Sequence, residues 1–438
     1  MLGRRTYRLN YRLIRDRAGS LATMTALLMP VLIGAAGLAS DSVQWTLVRR
    51  AMQRQADSAA LAGAYALSQS RPVSDTVRAD LTKNSNFTLS ADPIIENAPT
   101  IGPFAGNAKV VRVRLTSVSR LPFSSLFMRS GLAVSVEASA GLVADGEFCI
   151  LALDSGNSLG ITNSGNTTIN AGCGMHSNSS GEPAINGQGS ADIFASPVSA
   201  VGNVDNRSNV FRAGTTFQPF TVNQPDPFAG LADPAFTTRN TSGDVNSNQN
   251  RNFTPGVYRG MDIQGTANLA PGTYFIDGRS SGNNLNKNLG FNVGSQGRVT
   301  CTACVGGLGV TIVLTMSSPP ASGESNLVAG MKINAGAVIN LPAPDTGTYK
   351  GVLVYQDRRA TTMGEEININ GNSGAMLRGV IYTPKSQMRF NGNTGMNINC
   401  MQLVAHRFVF TGNSSISNVC PAMSGSGTFK GTQVRLMG

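Results

Sequence analysis

The alternation of apolar and polar positions divides the chain into three parts. Residues 18–40 form a run of 23 without a charge, and a helix of that length, at about 1.5 Å per residue, spans a hydrocarbon core of about 30 Å. Residues 42–70 keep a helical composition that is rich in alanine. Beyond Glu147, short β-branched runs are separated by Asn-Gly and Gly-Asn pairs, a pattern typical of stacked strands joined by turns.

The uncharged run predicts a transmembrane helix. Six arginines precede it against the single Asp16, and Asp41 follows it. The arginines are Arg4, Arg5, Arg8, Arg12, Arg15 and Arg17. The positive-inside rule therefore predicts a cytoplasmic N-terminus, with everything after Asp41 outside. A cleaved signal peptide is the first alternative, although its apolar region usually measures about 7 to 15 residues; a buried helix of a water-soluble protein is the second.

Between the two helical segments and the Asn/Gly-rich part, the pattern predicts a small α/β unit. Residues 74–83 and 121–129 have the composition of short helices, and residues 109–118 and 132–143 alternate apolar and polar positions as half-buried strands do. With the long helix, these elements form a compact helix-and-strand layer.

The Asn/Gly-rich part contains a repeat. The triplets at 370–372, 391–393 and 411–413 recur at steps of 21 and then 20, and a period near 20 without a helix signal predicts the rungs of a right-handed parallel β-helix, or β-solenoid. Looser copies stand at 164–166 and 186–188, while PGVY at 255–258 is echoed by PGTY at 271–274. The predicted in-line core consists of Ile161, Ile169, Ile333, Val338, Ile367, Ile369, Val380, Ile398 and Phe410.

These patterns set the domain boundaries that we expect. They are a basic cytoplasmic segment at 1–17, the transmembrane helix at 18–40, a helix with a small α/β domain at 41–145, a first solenoid stretch at 146–215, a Pro/Asn-rich loop at 216–254, the main solenoid at 255–420 and a loose or partly paired tail at 421–438.

Charge argues against a nucleic-acid partner. The formal net charge is +11, but six Arg and one Asp in residues 1–17 supply +5 of it, which leaves +6 on the rest of the chain. Downstream of residue 17 there is no Lys/Arg run interleaved with aromatic residues, the usual mark of a nucleic-acid binder. The N-terminal arginines are better explained by contact with anionic membrane lipid.

The N-terminal residues carry a resemblance. Gly19-Ser20, Pro30, the exit at 37–41 and the run ADSAALAGA at 56–64 resemble the N-terminal region of TadG-like proteins of the Flp, or tight-adherence, pilus machinery. CILALD at 149–154, DPFAGL at 226–231 and GVLVYQDR at 351–358 resemble the C-terminal half of a subset of exported TadG-like proteins.

The resemblance implies a single-pass inner-membrane protein whose bulk lies in the periplasm. It implies a non-enzymatic component of a pilus assembly or secretion apparatus with other pilus-assembly proteins as partners and no cofactor. Separately, the layout of the small α/β unit is loosely pilin-like, which is a fold-level analogy only. We expect Trp45 and the alanine-rich helix face to contact these partners, and a homo-oligomer is left open. The alternatives from other classes are a carbohydrate-active β-helix enzyme and a glycan-binding adhesin.

Candidate chemistry is sparse. For the enzyme alternative, the charged residues that could act are Asp357, Arg358, Arg359, Glu365, Glu366 and Lys385. Asp154-Ser155-Gly156-Asn157-Ser158 approaches the DxSxS start of a metal-dependent adhesion site but has Gly156 where a serine is required. The chain contains only two histidines, His176 and His406, so few Ser-His or Cys-His nucleophilic centres are possible. We therefore expect no catalytic residues and no metal, and Asp57 is either a locally satisfied carboxylate or a packing contact in an assembly.

The six cysteines all follow the membrane run, and an even number in an exported segment favours disulfides. The spacing of Cys400 and Cys420 equals one rung of about 20 residues, so they would lie on neighbouring rungs about 4.8 Å apart. We predict that they are bonded. Cys149 with Cys173 would stack similarly, which leaves Cys301 with Cys304 as a local bridge.

Overall fold

The computed structural model describes residues 19–84, 88–206, 210–236, 242–278, 290–316, 328–370, 376–392, 395–398, 401–413, 415–418 and 429–437. The chain forms two compact units. The first comprises Met1–Val143 with Val434–Gly438, and the second comprises Ala144–Gln433.

The first unit combines two helices with an antiparallel sheet. Its elements are helix α1 (Gly19–Ser68), helix α2 (Val73–Lys83), strand β1 (Ile94–Asn97), strand β2 (Val110–Ser119), a 3₁₀ helix (Ser124–Leu126) and the first part of strand β3 (Leu132–Ala152). β2 is the central strand, since Arg114 lies opposite Ile94 of β1 and Val110 lies opposite Gly141 of β3. The short helix predicted at 74–83 and the two predicted strands are therefore present, with bounds shifted by a residue or two except at the end of β3. The helix predicted at 121–129 is reduced to the 3₁₀ helix Ser124–Leu126.

Small residues of α1 let this helix lie close to the sheet. Ala56, Ala59, Ala60 and Ala64 are fully buried and share one cluster with residues of α2, β2 and β3. Gly63 shows how tight the packing is, because an added Cβ would lie 2.8 Å from Val111 Cγ1 and 2.9 Å from Val77 Cγ2. The alanine-rich run at 56–64 is thus the core face of the first unit.

The second unit is a stack of short parallel strands. After β3 the strands are β4 (Ile161–Asn163), β5 (Thr168–Asn170), β6 (Gly174–Ser177), β7 (Ile185–Gly187), β8 (Asp192–Phe194), β9 (Val198–Ala200), β10 (Val204–Asp205), β11 (Phe217–Gln218), β12 (Asn250–Phe253), β13 (Gly256–Tyr258), β14 (Met261–Ile263), β15 (Thr266–Leu269), β16 (Gly272–Asp277), β17 (Gly290–Val293), β18 (Arg298–Thr300), β19 (Val310–Thr315), β20 (Gly330–Ile333), β21 (Val338–Pro342), β22 (Val352–Gln356), β23 (Ile367–Asn370), β24 (Met376–Gly392), β25 (Gly395–Ile398), β26 (Met401–Gly412), β27 (Ser415–Asn418) and β28 (Phe429–Met437).

The strands stack in three columns. Side A stacks β13, β16, β19, β22, β24, β26, β3, β6, β9 and β11. Side B stacks β14, β17, β20, β23, β24, β26, β4, β7 and β10. Side C stacks β12, β15, β18, β21 and the start of β24, and also β25, β27, β5 and β8. Where the side chains are described, the inward ones form one hydrophobic core.

The order of the rungs in space differs from their order in the chain. The last rung, β26 and β27, pairs with the first, because Leu403 lies opposite Ile150 and Phe408 opposite Ile161. The chain therefore enters the stack in its middle and runs out to β11 at one end. It then starts again at β12 at the other end and returns to the middle. Two stretches of repeats were predicted from the sequence, but their stacking on each other was not.

A crossing segment, residues 222–236, connects the two ends of the stack, and we call it the strap. It lies over the outer face of side A, where Phe228 packs on Tyr382 with ring centroids 5.0 Å apart and Phe236 on Phe275 at 5.4 Å. The strap therefore covers the outer face of side A around Tyr382 and Phe275, which fits the apolar outer positions of the strands there. The outer positions of side A form a ladder of Val257, Phe275, Val313, Tyr355, Tyr382, Val404, Leu151, His176 and Ser199.

Polar contacts hold the strap in place. The Tyr382 hydroxyl donates to Asp226 Oδ2 at 2.7 Å, and Arg358 donates to the carbonyl oxygens of Phe228, Ala229 and Leu231. The motifs DPFAGL and GVLVYQDR, which stand far apart in the sequence, are thus contact partners.

The predicted rung period is confirmed at the end of the repeat. Asn370 lies opposite Asn391, and Asn391 lies opposite Thr411, which are the steps set by the triplets. The looser copies do not give the register. Asn163 pairs with Gly187, an offset of 24 rather than 22, because turns of different length separate these rungs.

Two of the predicted core residues have other positions. Val338 is half-buried while the neighbouring Ile339 faces the core, and Val380 belongs to the cluster on the outer face of side A. The side chain of Ile398 lies outside the described residues. The other predicted residues are buried in the core, namely Ile161, Ile169, Ile333, Ile367, Ile369 and Phe410.

Strands also occur in the segment predicted as a loop and in the tail predicted as loose or partly paired. The segment 216–254 holds β11 and β12, and the tail 421–438 holds β28. Short strands with mixed polar sequences, such as Asn250–Phe253, give no alternation by which to recognise them.

Two of the three cysteine pairs named above lie at disulfide distance. Cys149 and Cys173 are bonded with their Cα atoms 5.8 Å apart, and Cys301 and Cys304 with theirs 5.4 Å apart. Cys400 and Cys420 lie outside the described residues, so their bond stays a prediction that non-reducing peptide mapping can test.

We expect the two observed disulfides to differ in their contribution to stability. Closing the 24-residue separation of Cys149 and Cys173 should stabilise the fold by about 3 kcal/mol, and the short separation of Cys301 and Cys304 by about half as much, since the entropy removed from the unfolded chain grows with loop length. Urea unfolding of the two double-serine variants of the full chain in detergent measures both losses. A larger loss for the Cys301/Cys304 variant would contradict the ranking.

Candidate functional site at the exit of helix α1

Helix α1 has two halves of different character. From Thr23 onwards it is long and apolar enough to cross a membrane, and the side chains of its first half are exposed. Leu27, for example, is 77% exposed. The second half carries the buried alanines. The single continuous helix therefore joins a membrane-compatible segment directly to the core of the first unit.

Asp41 marks the junction of the two halves. Its carboxylate accepts a hydrogen bond from the backbone N–H of Phe123 at 3.0 Å and another from that of Ser124 at 2.6 Å, and the Ser124 hydroxyl is a third donor. Asp41 is only 3% exposed. It therefore ties α1 to the start of the 3₁₀ helix, far away in the sequence.

These contacts keep Asp41 ionised. Burial raises the pKa of Asp41, but the hydrogen bonds from the Ser124 hydroxyl and from the backbone N–H groups of Phe123 and Ser124 together outweigh it, so the pKa lies below its usual value. A carboxylate with three donors costs little to bury, whereas the same group without them would be expensive.

Gly37 completes the junction one turn earlier in α1. A Cβ at this position would lie 2.2 Å from Cδ2 of the Phe123 ring, so only glycine admits the ring so close to the helix. Together Gly37 and Asp41 form a socket for Phe123 and Ser124. Gly37 and Asp41 stand out in the sequence, at the exit of the uncharged run, whereas their partners do not.

The expected contact surface for partners needs a correction. Ala56, Ala59, Ala60 and Ala64 are buried against the unit's own sheet and second helix, so this alanine-rich face is not available to another protein. Trp45 is partly buried against the same cluster, with the Arg49 guanidinium 5.5 Å from its ring centroid.

Asp57 lies at the edge of a cavity of about 450 Å³ in the first unit. Gln53 donates from one amide nitrogen to Asp57 Oδ1 and to the backbone oxygen of Glu137, both at 2.9 Å. Asp57 is thus a locally satisfied carboxylate, the first of the two interpretations offered above. The cavity is lined by Gln53, Asp57, Pro99, Ile101, Pro103, Phe104, Arg112, Glu137, Ala138, Ser139, Leu436 and Met437.

Arg112 is the buried charge of this cavity. Its guanidinium donates to Glu96 Oε2 through Nε at 2.6 Å and to Glu137 Oε1 through Nη1 at 3.4 Å. The hydrogen bond from Arg112 is the main reason why the pKa of Glu96 lies below its usual value. The cation is therefore neutralised by carboxylates of the same unit, and the arrangement organises the sheet rather than activating a reactive group.

The charged residues considered for catalysis already have structural roles. Asp357 is fully buried, accepts from the Thr315 hydroxyl at 2.7 Å and pairs with Arg359 at 2.5 Å. Arg358 holds the strap. Glu366 pairs with Arg389 at 2.9 Å, and the hydrogen bond from Arg389 lowers the pKa of Glu366.

The remaining two candidates add no acid–base pair. Burial raises the pKa of Glu365, and the backbone N–H of Lys385 donates to the Gln356 side chain at 3.2 Å. A glycosidase site needs two carboxyl groups acting together. Among the described contacts, Glu365, whose pKa is raised, has no carboxylate partner.

Asp154 joins the first rung to the last. Its carboxylate accepts from the backbone N–H of Gly156 at 2.9 Å and from Arg407 Nε at 2.6 Å, with His406 Nε2 3.8 Å away. Burial raises the pKa of Asp154, but the Gly156 and Arg407 hydrogen bonds outweigh this effect and lower it. Within the residues that the structure describes, no group of three or more His, Cys, Asp and Glu side chains is placed to hold a metal ion.

The comparison with known proteins identifies a match in the same helix, α1. Residues 19–66 match a family model described as "Putative Flp pilus-assembly TadE/G-like". This range contains Gly37, Asp41 and the buried alanine run, and the match supports a role related to pilus assembly. No curated protein and no solved structure matches the chain.

Proposed function

We propose that the chain is a non-enzymatic, membrane-anchored component of a tight-adherence pilus assembly apparatus, because residues 19–66 match the TadE/G-like Flp pilus-assembly family model and contain an apolar helix. Its partners are other pilus-assembly proteins, and homo-oligomers are among the assemblies that it can form. The second unit is a right-handed β-solenoid presented in the periplasm or at the cell surface, and the first unit is a pilin-like domain.

The observation that carries this proposal is the family match of residues 19–66, and the continuity of α1 supports it. A hinge between a membrane helix and its domain would leave the domain free to turn, whereas α1 runs from Gly19 to Ser68 without a break and is clamped at Asp41. Such a rigid stalk suits a protein that must present its domain at a fixed height above the membrane. The partnered carboxylates at Asp357, Glu366 and Asp154 support a structural role over a catalytic one.

The functional test is deletion of the chain in a cell that makes this type of pilus. We expect pili to be lost and to return with the wild-type chain, and we expect pilus-assembly proteins to co-purify with it in mild detergent. Normal pili in the deletion strain, without any pilus protein in the purified material, would refute the proposal.

We propose further that the protein lies in the inner membrane with its N-terminus in the cytoplasm. A C-terminal alkaline phosphatase fusion should then be active, and a fusion placed before residue 15 should be inactive. Replacing Arg12, Arg15 and Arg17 together by glutamate should weaken this bias, because the positive charges hold the N-terminal flank inside. If only the fusion placed before residue 15 were active, the orientation of the chain in the membrane would be the opposite of the one proposed.

A further inference from the structure

The loop between β2 and β3 exposes an apolar cluster beside the end of the membrane-compatible half of α1. Leu126 is 75% exposed, Phe127 77% and Met128 50%. These three residues follow one another at the tip of the loop, and we call them the apolar tip. A contiguous patch of exposed apolar residues indicates a surface that contacts a membrane or another molecule.

The position of the tip along α1 is fixed by the Asp41 socket. Asp41 is the first charged residue after the uncharged run, and Phe123 reaches back to Gly37, one turn or about 6 Å deeper into that run. Phe127 packs edge-on against Phe123 with ring centroids 5.4 Å apart. The tip is therefore held at the level where α1 leaves the hydrocarbon.

The local backbone makes this tip rigid. The N–H of Met128 donates to the carbonyl oxygen of Ser124 at 2.8 Å, and the N–H of Ser125 donates to that of Leu121 at 2.9 Å. Leu121 is buried, so the base of the loop is anchored while its tip stays exposed. An ordered loop that exposes large apolar side chains differs from an ordinary polar turn.

Charges flank the tip in the arrangement that membrane interfaces favour. Arg120 and Arg129 stand on either side of it and are exposed. Long basic side chains beside Phe and Leu can keep their charged ends among lipid phosphates while the apolar residues enter the acyl boundary.

We infer that the apolar tip inserts into the same face of the membrane from which α1 emerges, giving the first unit a second point of attachment to lipid. One spanning helix alone leaves a domain free to tilt; the tip would fix the tilt and rotation of the first unit against the bilayer. The inference rests on α1 crossing the membrane and holds whether or not the chain assembles pili.

The test uses tryptophan fluorescence of the full chain. Trp45, the single tryptophan, is first replaced by phenylalanine. Phe127→Trp then reports on the tip, and Ile101→Trp is the matched control. Ile101 is 61% exposed, and its carbonyl accepts from Arg112, which places it at the other end of β2, roughly 20 Å from the loop by the rise of a strand.

Each variant is reconstituted into vesicles of phosphatidylethanolamine and phosphatidylglycerol, with or without brominated acyl chains. We expect brominated lipid to quench the Phe127→Trp variant to roughly half its intensity or less and to leave the Ile101→Trp variant unchanged, since quenching needs contact with the acyl boundary. Aqueous iodide should quench the Ile101→Trp variant alone.

Two outcomes would overturn the inference. If the fluorescence of Phe127→Trp responds to iodide and ignores brominated lipid, the tip lies in water. If it is shielded from both quenchers, protein, such as a second copy of the chain, covers the tip. Circular dichroism of each variant identifies any that fails to fold, and Leu126→Trp then provides a second reporter at the same tip.

Discussion

Replacing Phe408 by alanine is expected to lower the free energy of unfolding by about 3 to 5 kcal/mol, the usual cost of truncating a fully buried phenylalanine. Phe408 is 1% exposed and lies opposite Met388 on one neighbouring rung and Ile161 on the other. The same side chain is therefore covered by the end of the repeat and by its beginning. If the rungs stacked only in chain order, the last rung would be a terminal one and the loss would be smaller.

The matched control is Phe194→Ala on β8, where the ring is 40% exposed. We expect it to cost less than about 1.5 kcal/mol, because half-exposed rings lose little burial. Urea unfolding of the full chain in detergent, followed by far-ultraviolet circular dichroism, compares the two variants. Equal losses, or a loss below about 1 kcal/mol for Phe408→Ala, would contradict the stacking of the last rung on the first.

The rung period was predictable because it equals the spacing between repeated triplets in the sequence. The Asn-Gly-Asn and Thr-Gly-Asn triplets recur where turns have equal length, and there the predicted steps match the observed register. Register between rungs with unequal turns was not predictable in this way. Ile161 pairs with Ile185, a longer step than the triplets give, because the insertion lies in a turn whose length does not affect the core.

The meeting of the two stretches could not be predicted from local pattern at all. Parallel pairing of β26 with β3 needs only compatible inward residues and equal spacing, and every rung of this chain offers those. The strap also joins residues far apart in the chain, through its contacts with Tyr382 and Arg358. Both motifs are visible in the sequence, but nothing in their local pattern pairs them.

Only the α1 side of the candidate site could be predicted from the sequence. Gly37 and Asp41 stand out because a glycine and the first acidic residue end an uncharged run. Phe123 and Ser124 lie in a stretch predicted as a short helix, and a serine near a helix start is a common cap. Nothing in that pattern says that the start of this helix receives Asp41, because the contact depends on how β2 and β3 place the loop.

Acidification should destabilise the second unit well before its carboxylates titrate, because of His176. This side chain is fully buried between neighbouring rungs of side A. Its Nδ1 lies 2.6 Å from the Ser199 hydroxyl and its Nε2 lies 3.0 Å from Asn178 Oδ1. The amide oxygen accepts, so the neutral ring donates through Nε2–H and accepts at Nδ1 from Ser199.

Burial lowers the pKa of His176 from 6.5 to about 3, although the hydrogen bond to Asn178 opposes this shift. The unfolded chain therefore takes up a proton as the pH falls below 6.5, while the folded chain does not until about pH 3. Stability is fully present above the unfolded pKa and is lost as the pH falls between these values. At about 1.4 kcal/mol for each pKa unit of difference, about 2 kcal/mol should be lost between pH 7.5 and pH 5.

His176→Gln removes the titration and keeps an amide that both donates and accepts. We expect it to cost stability at pH 7.5 through imperfect packing, but to flatten the pH dependence between pH 7.5 and pH 5. His406→Gln is the control: burial lowers the pKa of His406 while Asp154 opposes the shift, and the His406 side chain keeps 16% of its surface exposed, so its share of the slope should be smaller. Urea unfolding at several pH values measures both slopes. An unchanged slope in His176→Gln would mean that His176 is protonated or solvated in the folded chain, contrary to its full burial.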